Sequence, residues 1–169
     1  KRDQRLTTIK KLIRCIEYQA VDLPHIGEPV PARWVDVRHA IETDDRNYIY
    51  REQFDDLCHA QDITEPEDIA TMLAYFHDLG IVLHFADQPL LRNRVILKPA
   101  WATNAVYRIF DNDLIKAKQG RFSRHDCAQL WSAPAYRSMH EVLIEIMKRY
   151  RLVSGKIGRA SNREKMKIT

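Results

Sequence analysis

Residues 72–101, MLAYFHDLGIVLHFADQPLLRNRVILKPAW, constrain the fold more than any other part of the chain. Met72, Leu73 and Phe76 recur at helical spacing, Gly80 offers a stop, and residues 81–85 read as a strand. Asp87, Gln88 and Pro89 carry the chemistry of a hairpin tip. Residues 94–97 read as a second strand, and Pro99 opens a new helix. Helix, β-hairpin, helix is the rear half of a winged-helix unit. The segment holds no nucleophile–base pair, metal-ligand spacing or phosphate loop, which argues for a module that acts by contact.

The flanking chain extends this pattern. Leu6, Ile9, Ile13, Ile16 and Ala20 give residues 6–21 one apolar helical face, ending before Pro24. Pro24, Gly27, Pro29 and Pro31 favour extended or turn backbone up to a second helix that starts near Pro31 or Ala32 and runs through Trp34, Val37 and Ile41. Residues 48–50 read as a strand and 52–60 as a helix. Thr64 is placed to cap a third helix, with Pro66 in its first turn and Glu67 and Asp68 complementing its dipole. After a polar stretch, 111–119, the order restarts: a strand at 120–122, a helix at 123–131 and a longer one at 139–150. The expected class is mainly α with small antiparallel β-hairpins (α+β), winged-helix-like, in two tandem halves at about 32–110 and 120–153. Residues 1–22 are expected to link to an upstream domain, 23–153 to form the folded body, and 154–169 to be a basic tail or the start of a following domain.

Charge is distributed unevenly. Residues 1–17 hold six Lys/Arg against two acids, and 148–169 hold eight against one. The body between them holds thirteen against twenty, so the folded part is acidic although the chain carries a net charge of +4. Nucleic-acid binders place positive charge on the reading surface. The third helix, 66–80, would instead present Glu67, Asp68, Thr71, Tyr75 and Asp78 to a major groove, with no lysine or arginine. Three widely spaced cysteines, Cys15, Cys58 and Cys127, suit a reducing cytoplasm, and no apolar run is long enough to span a bilayer. The chain starts at Lys1 rather than Met, so a piece of a longer protein is expected.

Candidate chemistry is sparse. Cys58–His59 and His125/Cys127 lack the paired spacing of a zinc site. His77 beside Asp78, and His84 on a strand, do not make a base by proximity alone. Asp44–Asp45, Asp55–Asp56 and Glu67–Asp68 are sequence neighbours that point apart on a helix. Gly155–Lys156 lacks the earlier glycine and leading strand of a phosphate loop. Phe85, Trp101 and Tyr107, with Arg92 and Arg94, are residue types enriched at contact hot spots. The alternative is that Phe85 and Trp101 form core between hairpin and helix, which for Trp101 is the favoured reading.

Five stretches resemble one known family: LPHIGEPVPARWVDVR (23–38), YIYREQFDDLC (48–58), LAYFHDLGIVLHF (73–85), VILKPAWATNAVY (95–107) and GRFSRHDCAQLW (120–131). They look like the first half of the COR ("C-terminal of Roc") region of Roco proteins, over roughly residues 5–153. The run H-D-L-G-x-x-L-H-F, followed by a strand and P-x-W, is the specific part.

The resemblance implies a regulatory, non-catalytic domain that relays the GTP/GDP state of an adjacent Roc GTPase to dimerisation and effector domains. It implies a GTPase as the parent protein and, in some family members, a Ser/Thr protein kinase as well. GTP/GDP and magnesium are then expected in Roc, with no cofactor, metal or catalytic residue in this segment. The expected partners are Roc and the second half of COR within the parent, and a second copy of the full-length parent. No nucleic acid and no membrane span are expected. By the resemblance Arg92, Arg94, Val95, Leu97 and Trp101 lie at or just under the Roc-facing surface. Val95→Asp is then expected to impair docking and leave the domain folded. A winged-helix DNA-binding domain and the winged-helix segment of a signalling ATPase are the competing readings.

Overall fold

The computed structural model describes residues 2–21, 30–155 and 165–169. Residues 22–29 of the proline-rich stretch and 156–164 of the expected tail lie outside the described residues. The chain divides into two units, Lys1–Ala32 and Arg33–Thr169. In the first, α1 (Arg2–Val21) starts four residues before the expected helix, and Ile9, Leu12, Ile13 and Ile16 form an exposed apolar stripe on it.

In the second unit, one order of elements occurs twice. It begins with α2 (Ala32–Thr43), β1 (Tyr48–Tyr50), α3 (Arg51–His59), α4 (Pro66–Asp78) and β2 (Arg94–Ile96). It recurs with α5 (Pro99–Phe110), β3 (Arg121–Ser123), α7 (Arg124–Leu130), α8 (His140–Arg149), β4 (Val153–Ser154) and β5 (Lys165–Ile168), with α6 (Asp113–Ala117) inserted after α5. In both, the last strand lies between the other two: β2 pairs with β1 and bridges Leu83, and β5 pairs with β3 and β4. Each repeat is a winged-helix topology.

Local chemistry explains the boundaries. The Tyr50 N–H donates to Gln53 Oε1 at 3.0 Å at the start of α3. Ser123 and Asp126 form a reciprocal capping box at α7: the Ser123 N–H donates to Asp126 Oδ2 at 2.7 Å, and the Asp126 N–H to Ser123 Oγ at 3.2 Å. At α4 the cap position falls to Glu65, without a side-chain bond, so the expected Thr64 cap is one residue too early. The stop is as expected: Gly80 sits at φ +70°, its N–H bonded to the His77 carbonyl and the Ile81 N–H to that of Phe76, a Schellman ending. The equivalent helix α8 ends the same way, but Arg151 takes the left-handed position at φ +55°. Gly120, at φ +75°, lets β5 pass close by, since a Cβ there would meet Ile168 Cβ at 3.2 Å.

Three expectations change. Residues 81–85 do not form a strand. Leu83 and Ile96 exchange one pair of backbone bonds, while Val82 N–H turns back to Phe76 and His84 N–H to His77 Nδ1, so the ladder cannot propagate. The main partner of β2 is β1, in the register Tyr48↔Ile96, Ile49↔Val95, Tyr50↔Arg94. Residues 165–168, read as tail, form the central strand of a sheet, because Lys-Met-Lys-Ile alternates just enough to bury Met166 and half-bury Ile168.

The buried side chains form two clusters. One gathers Val37, Ile41, Phe54, Met72 and Phe76 from the first repeat, and the other Ala105, Ile109, Phe122, Trp131 and Leu143 from the second. Strand β2 and its extension belong to both: Val95 and Leu97 enter the first cluster and Ile96 the second, at 0, 4 and 2% exposure. The helix α5 packs on α7 and α8, so it opens the second repeat rather than closing the first.

Loop 86–93 is pinned from below by buried Leu91 and by His84, whose Nε2 lies 3.0 Å from the Arg92 carbonyl oxygen. Burial pushes the His84 imidazole below its ordinary pKa of 6.5, against the Arg92 carbonyl and Asp55, which favour the cation; Arg51 and His77 add to the lowering. The native state therefore prefers neutral His84. Its contribution is complete above about pH 6.5 and is lost as acid protonates the unfolded chain first.

Three outcomes follow for stability. Gly80→Ala should cost about 1 kcal/mol by denaturant unfolding, all of it backbone, because the added Cβ meets nothing within 4 Å. Val95→Asp should abolish the cooperative thermal transition, since it buries an unpaired carboxylate at ~4 kcal/mol or more, contrary to the expectation that it spares the fold. Between pH 7 and 5 the wild-type midpoint should fall further than that of His84→Gln, which keeps a donor for the Arg92 carbonyl and cannot titrate.

Candidate docking surface

Antiparallel pairing of β1 with β2 sets Tyr50 directly opposite Arg94, and the Arg94 guanidinium lies over the Tyr50 ring, 5.6 Å from its centroid. Arg94 Nη1 also donates to the Leu90 carbonyl at 3.2 Å, while its Nε is buried without a partner among the described residues. The Arg51 N–H bonds the Asn93 carbonyl at 3.0 Å, which ties the loop to the start of α3. The exposed product is a patch of Tyr50, Leu90 and Arg92 beside half-buried Arg94.

The five residues singled out from sequence are therefore split. Arg92 and Arg94 lie in the patch. Val95 and Leu97 are core and cannot touch a partner without unfolding. Trp101 is 8% exposed and stacked on Tyr136 at 5.1 Å, with Tyr48 at 6.0 Å on another side and the Arg108 guanidinium over the Tyr136 ring. Its indole N–H has no acceptor among the described residues. Phe85 is likewise core, edge-on to His77 and Tyr150. Tyr107 is exposed and lines an apolar cleft of about 300 Å³ with Leu83, Val106 and Tyr150. Sequence reasoning missed Tyr50 and Leu90. The strand alternation at 48–50 could have marked Tyr50 as outward, but nothing local marks Leu90.

Chemistry of other kinds finds little support. Burial pushes the Cys58 and Cys127 thiols up to about 12, which keeps both protonated and poor nucleophiles. Among the described residues no three His, Cys, Asp or Glu side chains gather as metal ligands, and no helix is long and apolar enough to cross a membrane. Neither longer helix offers a cationic face to a duplex. The exposed charges of α4 are Glu67, Asp68 and Asp78. Half of α8 is buried, and its Glu141 and Arg149 are paired with Arg124 and Asp87.

Comparison with known proteins gives the family. Residues 31–162 match the family described as C-terminal of Roc, COR-A domain. The chain is 28% identical over 91 residues to "Probable serine/threonine-protein kinase pats1" of Dictyostelium discoideum, covering 53% of this chain and 3% of that protein. It is 26% identical over 83 residues to "Roc-COR-CHAT protease" of Runella zeae, covering 47% of this chain and 9% of that protein. The chain thus spans less than a tenth of the length of these curated relatives. A solved structure, Methanosarcina barkeri Roco2 RocCORdC bound to GDP, shares the fold at a TM-score of 0.72 and 19% identity, over 95% of this chain and 50% of that one. With its tandem winged-helix repeats and a family match over most of its length, this chain belongs to the COR-A family, the C-terminal-of-Roc domain of Roco proteins.

Proposed function

We propose that this domain is the non-catalytic relay of a Roco GTPase, and that the patch of Tyr50, Leu90, Arg92 and Arg94 is where the adjacent Roc domain docks. The parent binds GTP or GDP with magnesium in Roc, works in the cytoplasm and dimerises through the second part of COR. The carrying observation is the patch itself. A tyrosine, an exposed leucine and two arginines are displayed on a strand and loop held from beneath by two buried clusters. A surface so anchored moves with the whole domain, so a change in Roc is passed on as a rigid-body displacement. Two free thiols buried at high pKa suit a reducing compartment. Among the similar proteins, one is named a kinase and another a protease, which supports a shared upstream relay with differing effector parts.

Calorimetry with the purified Roc domain of the parent protein tests this reading. Leu90→Asp/Arg92→Glu, both at exposed positions, should weaken binding at least about tenfold and leave the thermal midpoint nearly unchanged. A relay also requires that the affinity differ, by roughly fivefold or more, between GDP-loaded and GTP-analogue-loaded Roc. Equal binding by variant and wild type sinks the docking assignment. Equal binding by both nucleotide states sinks the relay.

A further inference from the structure

The second repeat carries a basic face that the docking reading does not use. Residues 116–124, KAKQGRFSR, contain four Lys/Arg and no acid, and they lie far in sequence from the Lys165–Lys167 strand. Pairing of β3 with β5 brings the two together, in the register Arg121↔Lys167, Phe122↔Met166, Ser123↔Lys165. Phe122 and Met166 turn into the core, so Arg121 and Lys167 stand on the opposite, exposed side with Ser154 of β4 next in the row.

Directly opposed side chains on neighbouring strands have Cβ atoms about 5 Å apart, and like charges there are unfavourable. Neither Arg121 nor Lys167 has a carboxylate partner among the described residues, whereas the nearby Lys118 reaches Asp126 at 3.1 Å and Lys116 reaches Asp111 at 3.5 Å. Beside this pair opens a cleft of about 530 Å³ bounded by Lys118, Gln119, Arg121, Ser123 and Asp126. Leu114 of α6, a helix that packs beside β3, is 70% exposed. A domain whose middle is acidic thus sets two cations opposite one another with no carboxylate partner among the described residues.

We propose that the exposed face of the β3–β5–β4 sheet binds an acidic segment of a protein partner, with Arg121 and Lys167 sharing its carboxylates and Leu114 giving an apolar foothold. Carboxylates on alternate residues of an extended chain are about 6.6 Å apart on one side, a spacing the two cations can follow. Nucleic acid fits less well. The sheet face exposes no aromatic ring on which a base could stack, since Phe122 is buried, and α8 mixes Glu141 and Glu145 with Lys148 and Arg149 instead of presenting a wholly cationic groove-reading face.

The whole chain is tested by fluorescence anisotropy at low ionic strength with labelled poly-glutamate, and for comparison with a labelled DNA duplex and phosphatidylserine vesicles. Arg121→Glu/Lys167→Glu should reduce poly-glutamate affinity at least about tenfold. Lys167→Glu alone should weaken that binding and yet raise Tm by about 2 °C, because it turns an opposed like pair into a cross-strand ion pair. Weaker binding together with greater stability is the signature of a surface kept for a partner. Poly-glutamate affinity unchanged in both variants overturns the proposal, as does a fall in Tm for Lys167→Glu. Tighter binding of the duplex or the vesicles than of poly-glutamate also overturns it, in favour of that ligand.

Discussion

One short strand holds this domain together. In most small sheets a strand buries one face and shows the other to water. Here Val95 and Leu97 point into one cluster while Ile96 points into the other, and none of the three is more than 4% exposed. Two winged-helix repeats that would each have a marginal core are joined through this strand, with no linker between Ile96 and the opening of α5 at Pro99. Loss of β2 would cost both clusters together, so the second unit is expected to unfold as one.

That arrangement also holds the neighbouring surface residues in place. Tyr50 and Arg94 occupy opposed positions on β1 and β2, and loop 86–93 is tied down by Leu91, by the His84–Arg92 contact and by the Arg51–Asn93 backbone bond. Side chains mounted on such a support have little freedom left to lose. In neither repeat does the helix in the recognition position present a continuous cationic face. In the first, the equivalent of the recognition helix shows carboxylates; in the second it is half buried. What each repeat leaves exposed is its sheet side, with Tyr50 and Arg94 on one and Arg121 and Lys167 on the other.

Much of the helical framework was legible along the chain. Helices α2, α3, α4, α5, α7 and α8 follow from apolar spacing and from the stops at Gly80 and Pro99, because a helix is settled by neighbours three and four residues away. The strands were less legible. Residues 81–85 look like a hairpin arm by composition, yet their backbone groups are taken by the end of α4. Residues 165–168 look like tail, yet they complete a sheet whose partners lie more than ten and more than forty residues away. Of the five residues singled out from sequence, Arg92 is an exposed charge and Arg94 is half-buried against Tyr50, whereas Val95, Leu97 and Trp101 could be placed inside or out by sequence alone.

The sequence by itself determined the family, through H-D-L-G-x-x-L-H-F and P-x-W, and the helical order, through local periodicity and capping. Only the tertiary structure decided which apolar residues of β2 serve which core, and that Tyr50 stands over Arg94. It alone set Arg121 opposite Lys167. The reason is the range of the interactions: helix signals act within a turn, whereas strand pairing joins distant segments whose register no local pattern records.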